Sequence, residues 1–252
     1  MSHWTEEVYI EQPELFADTL RRMDAVAEEE AENVLALAAD EFGGEPSSIL
    51  DVGCGMGRHA LEFAERDITV HGIDISKAYL ETARDRAESR GVSERVQFDQ
   101  HDMRRVGELD ATYDLVAALF GSFGLYGRET DQRIVTQLRE LVADDGGLIV
   151  ELANKAHELY NYSPYDVREV EDRFIVQRDD YDVETDVLRS KYDVFEGETR
   201  DYRGQMEFRY HLYSIPEMEA LCHEAGFDSV IVVPKYAEEL DLQAEILRYA
   251  IS

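Results

Sequence analysis

The sequence predicts an α/β protein: a doubly wound, mostly parallel sheet with helices on both faces, carrying an antiparallel β insertion. Three observations predict it. Short apolar runs alternate with helical patterns from residue 45 to 153. At 154 that rhythm gives way to single alternation of apolar and polar residues. The first rhythm resumes after 213.

Residues 12–42 read as one helix, because Leu20, Met23, Ala27, Ala31, Val34 and Ala38 recur at three- and four-residue spacing. The acidic run Glu28-Glu29-Glu30 falls on the other face and reads as solvated. Gly43-Gly44-Glu45-Pro46 ends the helix. A strand over 48–53, a helix over 58–66 and a strand over 68–75 follow, with Ser76 as the N-cap of a helix to residue 90. Strands at 96–102 and 113–120 precede a helix over 129–143, and Asp144-Asp145-Gly146-Gly147 turns the chain into a strand at 148–153.

Over 154–213 no amphipathic helix is legible. Leu188, Ser190, Tyr192 and Val194 alternate with their neighbours, as do Met206, Phe208, Tyr210 and Leu212, and 174–177 supplies a third half-buried strand. Eight of the fourteen tyrosines lie in this stretch. A helix over 216–225 closed by Gly226 and strands at 229–233 and 245–251 complete the pattern. The expected organisation is an N-terminal helical segment (1–44), with Trp4 and Tyr9 as a candidate lid, a ligand-binding domain (45–153 and 214–252), and an insertion (154–213) facing a second ligand.

Composition narrows the function. No apolar run approaches the roughly 20 residues a membrane span requires. The first residues lack the pattern of a leader, so a cytoplasmic location is expected. Cys54 and Cys222 are too few for a disulfide framework, and Cys54 reads as a small space-filler. No His/Cys cluster has metal-ligand spacing, so no metal is expected. The 56 acidic residues outnumber 25 basic ones for a net charge of −31, and Lys77, Lys155, Lys191 and Lys235 are the four lysines. Such a chain repels itself at low salt, a repulsion screened at about 1 M, where the Debye length is about 3 Å; this resembles proteins of salt-accumulating halophiles. Arginines interleave with acids rather than forming a basic stripe, so no nucleic-acid partner is expected.

The chemistry sits at successive strand ends. Gly53, Gly55 and Gly57 follow the first strand and precede a helix, a turn that lets a ligand approach the backbone. A dinucleotide fingerprint requires glycine or alanine at 58, where Arg58 stands. Asp74 ends the second strand, about 20 residues on, where a carboxylate accepts from both ribose hydroxyls. Asp102 ends the third strand within reach of an adenine amino group, and Met103 is placed to cover the ring.

These residues carry a resemblance. Ile49-Leu50-Asp51-Val52-Gly53-Cys54-Gly55-Met56-Gly57 resembles motif I of the class I S-adenosylmethionine (SAM)-dependent methyltransferases, and Gly72-Ile73-Asp74-Ile75-Ser76 their second motif. Asp102-Met103 matches the adenine-contacting position, Tyr113-Asp114-Leu115-Val116 the fourth strand, and Asp144-Asp145-Gly146-Gly147 a glycine turn. The resemblance implies a Rossmann-like methyltransferase fold with a seven-stranded sheet and one antiparallel strand. It implies SAM as cofactor, with Asp51 at the methionine amine, Gly53 and Gly55 beneath the cofactor, Asp74 on the ribose, and Ile75, Asp102, Met103 and Leu119 completing its contacts. Phe120-Gly121-Ser122-Phe123-Gly124, together with an insertion after the fifth strand, is similar to small-molecule N- and O-methyltransferases.

The expected activity is therefore methyl transfer to a nitrogen or oxygen of a small molecule, by a monomer or homodimer. His157, Tyr160, Tyr162, Arg209 and His211 are the candidate acceptor contacts, and His59 reads as packing. A general base is needed only where the acceptor must first lose a proton. A non-catalytic SAM-binding sensor or scaffold, an NAD-dependent oxidoreductase and an RNA methyltransferase are the competing readings.

Overall fold

The computed structural model describes residues 2–236 and 239–252. The chain opens with α1 (Trp4–Glu6), a π turn (Glu7–Glu11), α2 (Pro13–Arg22), a 3-10 turn (Met23–Val26) and α3 (Ala27–Glu41). The single helix expected over 12–42 is thus broken. The 3-10 turn leaves the Met23 carbonyl to accept from Arg58 Nη1 at 3.4 Å and the Asp24 carboxylate to accept from Arg86 at 2.9 Å. The break lets α2 cross the ligand edge while α3 packs on the sheet.

Next come β1 (Ser48–Val52), α4 (Arg58–Glu65), β2 (Thr69–Asp74), α5 (Lys77–Arg90) and β3 (Val96–Gln100). A 3-10 turn (Met103–Glu108), β4 (Tyr113–Ala118), α6 (Arg128–Leu141) and β5 (Val142–Ala153) follow. Ser76 caps α5 as expected, its side chain accepting from Tyr79 N–H. The helix expected to residue 143 stops at Leu141, and the chain bulges directly into β5. Gly146 and Gly147 press against the Asp114 carbonyl and the Phe42 ring, where a side chain would not fit.

The insertion holds α7 (Lys155–Tyr160), which the sequence hides because it is short and has no buried residue. Four antiparallel strands follow rather than three: β6 (Tyr165–Val170), β7 (Arg173–Asp182), β8 (Val187–Glu196) and β9 (Asp201–His211). β6 escapes the alternation rule because it is an edge strand, exposed along nearly its whole length. The chain ends with α8 (Ile215–Glu224), β10 (Val230–Pro234) and β11 (Ile246–Ile251).

The main sheet has seven strands in the order β10-β11-β5-β4-β1-β2-β3. β11 pairs antiparallel with β10 and with β5, and the remaining pairs are parallel. Neighbouring residues face opposite sides: Leu50 and Val150 join one core with Ile134, Leu138 and Tyr249, and Ile49 and Ile149 the other with Leu61, Phe63 and Leu80. Both faces are covered, which is why these strands read as unbroken apolar runs. A third core ties the N-terminal segment to the insertion, joining Trp4, Val8 and Leu15 to Val194, Met206 and Phe208.

Candidate active site

The carboxyl ends of β1, β2 and β4 open into a cavity of about 540 Å³, roofed by the N-terminal segment and walled by the insertion. Gly53, Gly55 and Gly57 all have φ between 55° and 76°. At Gly53 a Cβ would lie 2.7 Å from Ser122 Oγ, and at Gly57 2.8 Å from Phe98 Cζ. Space as well as backbone conformation therefore excludes larger residues at both positions. Cys54 is buried in the same turn, and burial pushes its thiol pKa up, which suits packing rather than reaction.

Asp51, Gly53, Gly55, Asp74, Ile75, Met103 and Leu119 all line the cavity. Asp74 Oδ1 accepts from Ser76 N–H at 2.7 Å and Oδ2 from Gly55 N–H at 2.9 Å. Desolvation nonetheless pushes Asp74 up to about 6. Asp51 is 2% exposed, and burial pushes it up to about 7 against the pull of Arg58. Its Oδ2 has no hydrogen-bond partner. A buried carboxylate oxygen without a partner is a ready acceptor for a cationic or N–H group.

Asp102 does not line the cavity. Its carboxylate accepts from Arg104 N–H at 2.9 Å and Arg104 Nε at 2.8 Å, which turns it into the cap of the 3-10 turn. Burial opposes its charge, but Arg104 outweighs that and holds it below the usual carboxylate range. His101 and Met103 stand at the wall instead.

Of the five acceptor candidates, His211 alone lines the main cavity. Tyr160 is 69% exposed, and Arg209 is exposed and paired with Glu207 at 2.8 Å. Both face solvent because their strand or helix turns its other side inward. His157 Nδ1 donates to the Leu242 carbonyl at 2.8 Å, and Tyr162 donates to the Asp179 carbonyl at 3.0 Å. These two line a smaller cavity of about 330 Å³ that shares Glu158, Gln177, Asp179, Leu188 and Leu212 with the first.

The insertion's side of the cavity also contains residues not among those candidates: Glu158, Gln177, Asp179, Ser190, Tyr192 and Tyr210. Ser190, Tyr192 and Tyr210 belong to the alternation the sequence shows in β8 and β9, whereas the inward side of β7, with Gln177 and Asp179, becomes legible only once the strand register is known. Asp179 Oδ1 and His211 Nε2 are buried and unpartnered. Burial lowers the His211 pKa, so its imidazole is neutral near pH 7. Burial, with Asp179 and Glu245 nearby, raises the pKa of Glu158. Tyr9 lines the cavity, whereas Trp4 lies behind it against Phe208 and Tyr210, donating to the Leu125 carbonyl at 3.3 Å.

Glu30 departs from its expected surroundings. His59 is buried beside Phe63, in keeping with a packing residue, and its Nε2 meets the buried Glu30 Oε2 at 2.8 Å. Glu30 also takes Lys235 at 2.7 Å and pairs with Arg58 and Tyr236. The acidic run is thus solvated at Glu28 and Glu29 but not at Glu30, which the turn of α3 carries into the interior. Among the described residues, no group of three or more His, Cys, Asp or Glu is arranged to hold a metal ion, and no helix is long and apolar enough to cross a membrane.

The sheet order and the glycine edge make a Rossmann-like α/β architecture, and residues 49–146 match the family model described as a methyltransferase domain. Among curated proteins, the chain is similar to methyltransferase GfsG of Streptomyces halstedii, at 31% identity over 40% of this chain and 36% of that one. It is 42% identical to 27-O-demethylrifamycin SV methyltransferase of Amycolatopsis mediterranei over 28% of this chain and 26% of that one. These matches span about a third of the length of the relatives or less. Among solved structures, the CcbJ methyltransferase from Streptomyces caelestis superposes with TM-score 0.78 at 22% identity, covering 90% of this chain and 91% of that one. The sugar N-methyltransferase KedS8 from Streptoalloteichus superposes with TM-score 0.70 at 20% identity, over 92% and 91%.

Proposed function

We propose that this protein is a SAM-dependent methyltransferase that methylates an amine nitrogen of a small molecule. One observation carries the reading: a single cavity is lined both by Asp51 and the glycine loop and by Asp179 and His211 of the insertion, and each of these three side chains has a buried atom without a partner. The first end suits SAM. Asp51 offers an unpartnered carboxylate oxygen to an ammonium, Gly53 and Gly55 line the cavity at the loop, Asp74 offers its carboxylate to the ribose, and Ile75 and Met103 are apolar neighbours for a purine. When bound, SAM supplies a methyl carbon already activated by a sulfonium.

The residues at the other end prepare the acceptor. Asp179 and Glu158 attract an ammonium group, and the rings of Tyr192 and Tyr210 flank the same space. An amine attacks only through a free lone pair, so one proton must leave. Neutral His211, in the tautomer with Nε2 unprotonated, takes that proton, and Asp179 holds the nitrogen. The N-terminal segment acts as a lid that keeps water out. An enclosed cavity without a basic groove favours a small acceptor over RNA, and Arg58 in place of glycine disfavours a dinucleotide. A cytoplasmic location and a salt-rich cell accord with the composition.

Calorimetry in molar KCl tests the donor end. SAM and S-adenosylhomocysteine are expected to bind and NAD not to. Asp74→Ala is expected to weaken SAM by about tenfold or more, the value of hydrogen bonds to a charged group. Undiminished binding after Asp74→Ala, or no SAM binding by the wild type, overturns the reading. Turnover with cyclohexylamine, amino sugars and their alcohol counterparts then separates an enzyme from a SAM sensor and nitrogen from oxygen acceptors.

A further inference from the structure

β6 (Tyr165–Val170) is an edge strand of the insertion, paired with β7 on one side only. It is exposed along nearly its whole length, Tyr165 at 71% and Val167 at 55%. The strand at the other end of that sheet, β9, is by contrast packed against the N-terminal segment. An uncovered edge presents a row of unpaired N–H and C=O groups, a template for one more strand.

The pairing with β7 fixes which backbone groups point outward. Asp179 N–H donates to the Pro164 carbonyl at 3.1 Å, one step beyond the register pair of Tyr165 and Arg178. Residues 164 and 179 are thus a hydrogen-bonded pair, and in an antiparallel ladder such pairs recur at every second residue. The backbone groups of Asp166, Arg168 and Val170 therefore turn toward β7, and those of Tyr165, Val167 and Glu169 turn away from it. The Tyr165 carbonyl accepts from Ser163 Oγ at 2.8 Å. Among the described residues, nothing pairs with the outward N–H or C=O of Val167 or Glu169.

A second copy related by a two-fold axis can add to this edge in few ways. Outward residues must meet outward residues, which leaves three registers centred on the strand: Asp166, Val167 or Arg168 opposite itself. The first sets two carboxylates against each other and the third two guanidinium groups. The middle register sets Asp166 of each copy against Arg168 of the other, and Tyr165 against Glu169. Asp166 and Arg168 then fall at a non-hydrogen-bonded position, where cross-strand side chains stand closest. Within one chain these two are only loosely paired, at 3.8 Å, and both are about half exposed. Charges on an edge strand ordinarily keep foreign strands away. Here their order also complements a second copy of the same strand, in one register alone.

We propose that β6 pairs antiparallel with β6 of a second copy, Val167 opposite itself, joining two four-stranded sheets into one. Six residues a side fall well short of the roughly 20–30 of a stable interface, so the dimer dissociates on dilution. The charge of −31 on each copy opposes its formation at low salt, and about 1 M KCl screens that repulsion.

Sedimentation velocity on a dilution series of the full chain, in molar KCl, tests it. The wild type is expected to pass from one chain to two as concentration rises. Arg168→Asp, which sets carboxylate against carboxylate, is expected to weaken association about tenfold or more. Adding Asp166→Arg to that variant exchanges the two charges at constant net charge. The pair is expected to associate to within about threefold of the wild type. Val167→Pro removes the central outward N–H without touching a bond to β7, and is expected to stay a single chain throughout. Should Val167→Pro fail to fold, the charge exchange still decides. A wild type that stays a single chain at every concentration overturns the proposal. So does a dimer that Arg168→Asp leaves unweakened, or one that the charge exchange fails to restore.

Discussion

At the scale of single residues, the donor end turns on the protonation of Asp51. Its pKa is pushed up to about 7 by burial, so the free site is half protonated near neutrality. An ammonium favours the ionised carboxylate. Binding therefore draws a proton off Asp51, and affinity is lost as pH falls through 7, by up to about tenfold per pH unit. Asp74, at about 6, adds a second break at lower pH. Asp51→Asn is expected to bind SAM more weakly above pH 7, to lose the slope near 7, and so to converge with the wild type at lower pH. Calorimetry across that range checks it, and a flat wild-type profile would count against the assignment. Asp51 and the loop glycines were readable because a strand end and a φ requirement are local facts. Glu158 and Asp179 were not, since their place at the cavity depends on which side of an antiparallel strand, or of a six-residue helix, faces it. Glu30 shows the same limit in reverse: three consecutive acids look alike, and the rotation of α3 buries one.

At the scale of elements, the N-terminal segment is the part whose placement matters most. Trp4 is 4% exposed, wedged between the Leu125 carbonyl of the main domain and the Phe208 and Tyr210 rings of β9. It thus joins the two halves of the cavity wall. Trp4→Ala is expected to remove about 3 kcal/mol from this docking, at the low end for losing a buried aromatic. Cleavage near residue 10 should then quicken. In the wild type SAM should slow that cleavage, and limited proteolysis with and without cofactor reads both effects. Equal cutting of wild type with and without SAM would remove the lid. From β1 to α6, and again from α8 to β11, the helices and strands were legible to within about two residues because both faces of the sheet are covered and the apolar runs are unbroken, whereas β5 begins at Val142 rather than at the expected 148. The 3-10 break at Met23–Val26 and edge strand β6 were hidden. The first is stabilised by Arg58 and Arg86 from elsewhere in the chain, and the second buries almost nothing.

At the scale of the whole molecule, the net charge of −31 sets how the fold responds to salt. Most ion pairs are on the surface, where each contributes little, while the acids repel one another over the Debye length. That length shrinks from about 8 Å at 0.15 M to about 3 Å at 1 M. The unfolding midpoint is therefore expected to rise as KCl is raised to molar levels, and a steady fall, measured by circular dichroism, would sink the salt-adaptation reading. The buried Glu30–Lys235–Glu151–Arg248 network is shielded from salt and should contribute alike at both ends of the titration. By itself the sequence determined the alternation that builds the sheet, the glycine turn, and the carboxylates at the ends of β1 and β2, because each is set by neighbours in the chain. Only the tertiary structure decided that Asp102 caps a turn rather than lining the cavity, that Asp179 and His211 share a wall, and that Arg58 keeps its Nη2 unpartnered. Those outcomes depend on charges far apart in sequence meeting where water is excluded, and no local pattern records such a meeting.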